Sequence, residues 1–174
     1  MAGDQNSDGQ LVREILAGSS DASAVLFNRH WDVAYEAALS VIGRRAQAED
    51  AASDAFIAAL GALGSFDQDR PFRPWLRRIA VNKALDLLRA ERLSAPVTDA
   101  TPELDWAESG SPHEDLLGHV AALGDERRVV LVLRYWLDFE PMEIARMLQI
   151  PVGTVHSRLG RARAELRKSL EVPR

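Results

Sequence analysis

The sequence predicts an all-α protein: two small helical domains joined by a flexible acidic linker, the C-terminal one containing a helix-turn-helix. Three observations predict it. Alternating strand patterns are nearly absent, whereas apolar residues recur at spacings of three and four along most of the chain. Residues 93–112, LSAPVTDATPELDWAESGSP, break that rhythm with three prolines and no basic side chain, the composition of a linker. Residues 139–170 then read as a short helix, a tight turn and a longer helix with a cationic face.

Taken in order, Ser7 to Gly18 suits a short helix around Leu11, Val12, Ile15 and Leu16, within an N-terminal tail of residues 1–19. Ser20 or Asp21 is placed to cap a long second helix, with the stripe Phe27, Trp31, Ala34, Ala38, Val41 and Ile42 and a stop at Gly43. A third helix, about Ala46 to Leu63, is expected to bury Ala48, Ala52, Ala55, Phe56, Ala59, Leu60 and Leu63. Its other face carries Asp50, Ser53, Asp54 and Ile57. After a break at residues 64–71, a fourth helix runs from about Pro74 to Arg92. Ser111 to Glu114 has capping-box spacing and opens the second domain. A helix from about Asp125 to Trp136 follows, and then the final pair. Pro141 suits a first helical turn, and Pro151 separates the two helices of that pair. Val152, Val155, Leu159, Ala162 and Leu166 form the apolar stripe of the last helix.

The 174 residues carry a net charge of −5, an unfavourable total for contact with phosphates until it is resolved by segment. Residues 70–92 hold 7 basic and 2 acidic side chains, and residues 125–174 hold 10 and 7. The segments 1–69 and 93–124 are acidic, at −7 and −6. Two basic islands therefore sit in an acidic chain, and local potential governs attraction to an anionic strand over a Debye length of about 8–10 Å. The absence of cysteine excludes disulfides and thiolate metal sites, and His30, His113, His119 and His156 lack ligand spacing. No metal or cofactor is expected. No apolar run approaches membrane-spanning length and the N-terminus lacks a secretory pattern, so the expected location is the cytoplasm, without membrane insertion.

Four segments in succession, EDAASDAF, FRPWLRRIAVNKALDLLRAER, RRVVLVLRYW and EIARMLQIPVGTVHSRLGRARAEL, resemble the extracytoplasmic-function sigma factors of bacteria. The likeness spans about residues 20–170, with the acidic linker in its expected place. It implies an alternative sigma factor, not an enzyme, that binds core RNA polymerase through its β′ and β subunits and directs it to promoter DNA. Residues 20–92 would be region 2, residues 113–174 region 4, and an anti-sigma protein the regulatory partner.

The resemblance assigns three surfaces. Asp50, Ser53, Asp54 and Ile57 would dock on a coiled coil of the β′ subunit, where an acidic row with one apolar anchor suits a basic-rimmed partner. Glutamine is usual where Ser53 stands. Phe66, Asp67, Arg73, Arg78, Asn82 and Lys83 would read the melted −10 element: cations track phosphates, and an amide both donates to and accepts from a flipped base. Trp75 and Phe72 are expected in the core rather than as stacking platforms. Thr154, His156, Ser157 and Arg161 would reach −35 base edges, with Arg158 and Arg163 nearer phosphates. Arginine is common where His156 stands, so an atypical −35 preference is expected. Glu140 and Gln149 also depart from the usual serine cap and glycine turn.

Two other readings remain open on sequence. A stand-alone helix-turn-helix regulator explains residues 139–170 but leaves 44–92 without a purpose. A sigma-like decoy that sequesters an anti-sigma protein accommodates the departures at Ser53 and His156. No carboxylate, histidine or serine set has catalytic spacing.

Overall fold

A computed structural model describes residues 7–94 and 114–171. The described residues form eight α-helices and no strand: α1 Asp8–Leu16, α2 Ser20–Ile42, α3 Arg45–Ala62, α4 Phe72–Ser94, α5 Glu114–Ala121, α6 Asp125–Tyr135, α7 Pro141–Leu148 and α8 Val152–Leu170. A single 3₁₀ turn, Leu63–Ser65, follows α3. The expected linker lies outside the described residues from residue 95 onward, and so does most of the Ser111–Glu114 capping box. Residues 93 and 94 are the last of α4, which runs two residues further than its sequence pattern indicated.

α2, α3 and α4 pack on one another as a three-helix core, with α1 laid against α2. Alanines make this close approach possible. Ala34, Ala37 and Ala38 of α2 and Ala48, Ala51, Ala52, Ala55 and Ala59 of α3 are all buried, and small side chains shorten the distance between helix axes. Two helix ends are fixed by local chemistry. Ser19, rather than Ser20 or Asp21, caps α2 by accepting from the Ala22 N–H at 3.2 Å. Gly43 ends α2 at φ 82°, the left-handed conformation in which a side chain would be strained. Leu60, expected inside, is 42% exposed, because it lies on the Ile57 side of α3.

α1 is held by charge as well as by buried Leu11 and Val12. Asp8 accepts a 2.8 Å bond from Arg29, and His30 Nε2 lies 3.0 Å from its other oxygen without full hydrogen-bond alignment. Burial favours the neutral carboxyl, yet His30 and Arg29 together outweigh it and hold Asp8 below the usual carboxylate range. A depressed folded pKa contributes stability above the unfolded value of about 3.9 and loses it as pH falls through the folded value. Asp8→Asn is therefore expected to lower stability by about 1 kcal/mol at neutral pH. In urea titrations the gap between variant and parent should close below about pH 4.

In the C-terminal half, α6, α7 and α8 pack together, and α5 lies on α8. Val120, Leu123, Leu131 and Ala162 form a small cluster there. Glu140 precedes α7 without the serine common at that position, but its N–H donates to the Glu143 carboxylate at 3.1 Å, so one orphan donor is satisfied. The turn to α8 places Gln149 at φ 56°, ψ 42°. The main apolar cluster does not stop at the domain boundary: it joins Leu85 and Val81 of α4 to Val129, Leu133 and Ile144.

Candidate nucleic-acid interface

On α3, the spacing of three and four residues sets Asp50, Ser53, Asp54 and Ile57 on one face, and all four are exposed. Ile57 is 69% exposed, and Leu60 one turn on extends the apolar spot. Ser53 turns its hydroxyl back on its own helix, donating to the Glu49 carbonyl at 2.9 Å. What faces outward is thus an acidic pair flanking an aliphatic knob.

The segment after α3 is organised around an aromatic cluster. Phe66 packs edge-on against Phe72, with ring centres 5.5 Å apart, and lies 4.8 Å from Trp75; Phe72 lies 5.4 Å from Trp75. Phe66, assigned by resemblance to the strand-reading set, is only 7% exposed, so its ring belongs to this cluster rather than to the surface. The physical reason is the 2% exposed Phe72 at the start of α4, which draws the neighbouring ring inward. Asp67 shapes the loop, accepting from the Asp69 N–H at 3.2 Å and from Arg70 Nε at 3.2 Å. Beside it opens a cleft of about 480 Å³ walled by Phe66, Asp67, Arg70, Trp75 and Arg78.

α4 carries the cations and the amide. Arg73 and Asn82 are exposed, and Lys83 is half-buried. Several of the arginines of α4 are already engaged within the protein. Arg78 pairs with Glu143 of α7. Arg89 bonds Asp86 at 2.6 Å and the Met147 carbonyl at 2.5 Å, and Arg92 lies 3.5 Å from Asp125.

On α8, His156, Ser157, Arg161 and Arg163 are exposed and Thr154 is half-buried. Ser157 donates to the Thr154 carbonyl at 3.1 Å. Arg158, expected near phosphates, instead makes a 2.8 Å ion pair with Glu126 of α6 and is largely covered. Arg127 and Glu165 form a second α6–α8 tie at 3.0 Å. An open cleft lies between α6 and α8, lined by Thr154, Ser157, Arg158 and Arg161.

Sequence reasoning missed Arg128, which is 2% exposed at the start of α6. Its Nη2 meets Asp125 at 2.8 Å, while Nε and Nη1 have no partner among the described residues. Burial lowers its pKa, Asp125 opposes that, and Arg44 and Arg92 nearby add to the lowering. An Asp-x-x-Arg start to an amphipathic helix was the available signal, but such a pair reads as solvated in a sequence.

Among the described residues no group of histidines and carboxylates is arranged to hold a metal ion, and no helix is long and apolar enough to cross a membrane. The arrangement instead offers two cationic helices, one beside a loop cleft and one in a helix-turn-helix, plus an acidic face on a third.

Comparison with known proteins matches two regions of the chain. The model of Sigma-70 region 2 matches residues 26–93, and that of Sigma-70 region 4 matches residues 113–166. The ECF RNA polymerase sigma factor SigW of Bacillus subtilis is 32% identical, over 91% of this chain and 94% of its own. The RNA polymerase sigma factor CnrH of Cupriavidus metallidurans is 33% identical over 96% of each. CnrH solved in complex with the cytosolic domain of CnrY aligns with a TM-score of 0.57 at 32% identity, covering 95% of this chain and 98% of that one. The sigma factor RpoE of Bartonella quintana, solved with the anti-sigma factor NepR, shares the fold at 22% identity, with a TM-score of 0.59 over 87% of this chain and 98% of that one.

Proposed function

The chain belongs to the extracytoplasmic-function sigma factors, and from that premise we propose how its surfaces divide the work of initiating transcription. Residues 20–92, with α1 packed on them, serve as region 2; residues 113–174 serve as region 4. The exposed face Asp50, Ser53, Asp54 and Ile57 binds the β′ subunit of core RNA polymerase, and region 4 engages β. The loop at Asp67, with Arg73, Arg78, Asn82 and Lys83 of α4, holds the melted −10 strand. Phe66 supports that loop from within. Thr154, His156, Ser157 and Arg161 read the −35 element in duplex DNA, Arg163 adds a phosphate contact, and Arg158 positions α8 through Glu126. The protein acts in the cytoplasm and has no catalytic activity of its own.

The observation that carries this reading is the coexistence, in one chain matched by both region models, of a solvent-facing acidic α3 face and an α4 bearing Arg73 and Asn82 at the surface. Two linked weak readers gain affinity through effective concentration, so neither domain needs tight binding alone. By likeness to CnrH, whose solved complex contains the cytosolic domain of CnrY, an anti-sigma protein is the regulatory partner.

The α4 assignment has a direct test. The Asn82 side chain is exposed and makes no hydrogen bond among the described residues, so its removal leaves the fold unburdened. On a promoter selected by the holoenzyme itself, Asn82→Ala is expected to lower open-complex formation about tenfold, the loss of roughly one good base contact. Co-elution with core polymerase should be unchanged. Equal promoter opening by variant and parent would remove Asn82 from the −10 reader.

A further inference from the structure

α1 lies ahead of residues 26–93, the span matched by the Sigma-70 region 2 model, yet it touches the loop assigned to the melted strand. Arg13 Nη1 donates to Gln68 Oε1 at 3.3 Å. At Gly9 the helix passes so near the loop backbone that a β-carbon there would already meet the Gln68 carbonyl oxygen, at 3.5 Å. α1 is itself firmly seated. Leu11 and Val12 are buried and Asp8 is tied to Arg29. The turn into α2 closes with Gly18 at φ 96° and the Ser19 N–H on the Glu14 carbonyl at 3.0 Å. An arm fixed on α2 therefore reaches a loop that belongs to α3 and α4.

We propose that α1 positions the strand-reading loop, with Arg13 acting through Gln68. This deepens the reading given above and rests on the assignment of that loop to the −10 strand. The loop's own bonds close a turn without fixing where the turn sits. The Asp67 carbonyl accepts from the Arg70 N–H at 3.0 Å, and the Asp67 carboxylate accepts from the Asp69 N–H at 3.2 Å. Buried Phe66 holds one end of the turn from within, and α1 holds Gln68 from outside. Asp67 and Arg70 wall the neighbouring cleft, whereas neither Arg13 nor Gln68 lines it, so the tie leaves the cleft open. Ordering a loop costs conformational entropy, and apparent affinity falls with the fraction of molecules whose site is already formed. An arm that seats the loop before the strand arrives raises that fraction. Arg13 is thus a positioning residue rather than a strand contact.

The test uses the full chain, with two readouts. The chain contains no cysteine, so Asp69→Cys on the exposed loop accepts a single nitroxide, whose mobility reports how firmly the loop is seated. Open-complex formation by the unlabelled holoenzyme, on a promoter that it selects itself, reports function. Both are measured for Arg13→Ala, Gln68→Ala and the double variant, and for Arg13→Lys, which keeps a donor. Arg13 and Gln68 are exposed, so none of these changes empties the core. Gln10→Ala is the control: its side chain bonds Glu14 of the same helix at 3.3 Å rather than the loop.

Positioning predicts a more mobile nitroxide in Arg13→Ala and promoter opening lowered about threefold, as when a seated fraction of about three-quarters falls to about a quarter. Arg13→Lys should recover most of both, Gln10→Ala should match the parent, and co-elution with core polymerase should be unchanged throughout. The double variant should be no worse than Gln68→Ala alone, since Arg13 acts only through that side chain. Unchanged nitroxide mobility in Arg13→Ala overturns the positioning role while leaving the assignment of the loop intact. A looser nitroxide with unchanged promoter opening overturns the proposal from the other side, by showing that the loop is not the strand reader. A full Arg13→Ala loss in the Gln68→Ala background overturns it as well, because Arg13 would then act on the DNA directly.

Discussion

Reversing two charges on α3, Asp50→Lys together with Asp54→Lys, is expected to abolish co-elution with core RNA polymerase while leaving the helical fold intact. Both carboxylates are exposed, and neither makes an ion pair among the described residues, so no internal contact is lost. Lysine also has a better helix propensity than aspartate, which keeps α3 at least as stable as before. At an interface the consequences are larger. Two attractions become two like-charge contacts, a change of several kcal/mol, and each 1.4 kcal/mol is about tenfold in affinity. A loss of at least about a hundredfold follows, enough to separate the proteins on a sizing column. Ile57→Ala should weaken binding without abolishing it, since it removes a small apolar anchor of about 1–3 kcal/mol. Circular dichroism checks the fold, and a core preparation competent with another sigma factor checks the partner. If the double reversal still co-elutes, the α3 face is not the polymerase surface.

That this face was legible at all follows from helical geometry. Asp50, Ser53, Asp54 and Ile57 share a face by spacing alone, and the alanines behind them fix which side is inward. α7 was equally legible. Pro141 at its start and Pro151 beyond its end leave little freedom for its limits, and it spans Pro141–Leu148 between them. Leu60 and Phe66 show where spacing fails. Leu60 sits at an angle between the buried and exposed stripes, and its exposure depends on what α2 and α4 cover. Phe66 lies in a loop, where no period applies, and its burial is decided by Phe72 and Trp75.

Contacts across the domain boundary were beyond any sequence pattern. Arg78 and Glu143 are 65 residues apart, and Arg89 and Met147 are 58 apart. Their partnership depends on how two helical units dock. A run of arginines on an amphipathic helix looks the same whether it awaits a nucleic acid or is already held by carboxylates. The Glu126–Arg158 pair has the same cause, and it turns a presumed phosphate contact into a brace for α8. Charge patterning reveals that such surfaces exist, and tertiary structure decides which of their members are engaged.

The aromatic cluster under the loop proposed to hold the −10 strand is where stability and function would meet, and Phe72→Ala is the substitution expected to separate them. The side chain is 2% exposed and its ring lies within 5.5 Å of the ring centres of His30, Phe66 and Trp75. Truncation leaves a cavity that neighbouring rings fill only in part, and Phe-to-Ala changes in cores cost about 3–5 kcal/mol. A domain of this size has a total stability of about 4–10 kcal/mol, so the variant should lose close to half of it. Urea unfolding reads that loss directly. Phe72→Leu, which keeps most of the volume, should lose less than about 1.5 kcal/mol. The functional effect should be uneven. The α3 face is built on contacts of α3 with α2, whereas the Asp67 loop rests on Phe66, and Phe66 rests on Phe72. At a temperature where Phe72→Ala remains folded, promoter opening should therefore fall well below that of the parent while co-elution with core polymerase persists. Parallel loss of both would mean that the cluster supports region 2 as a whole and has no particular role in seating the loop.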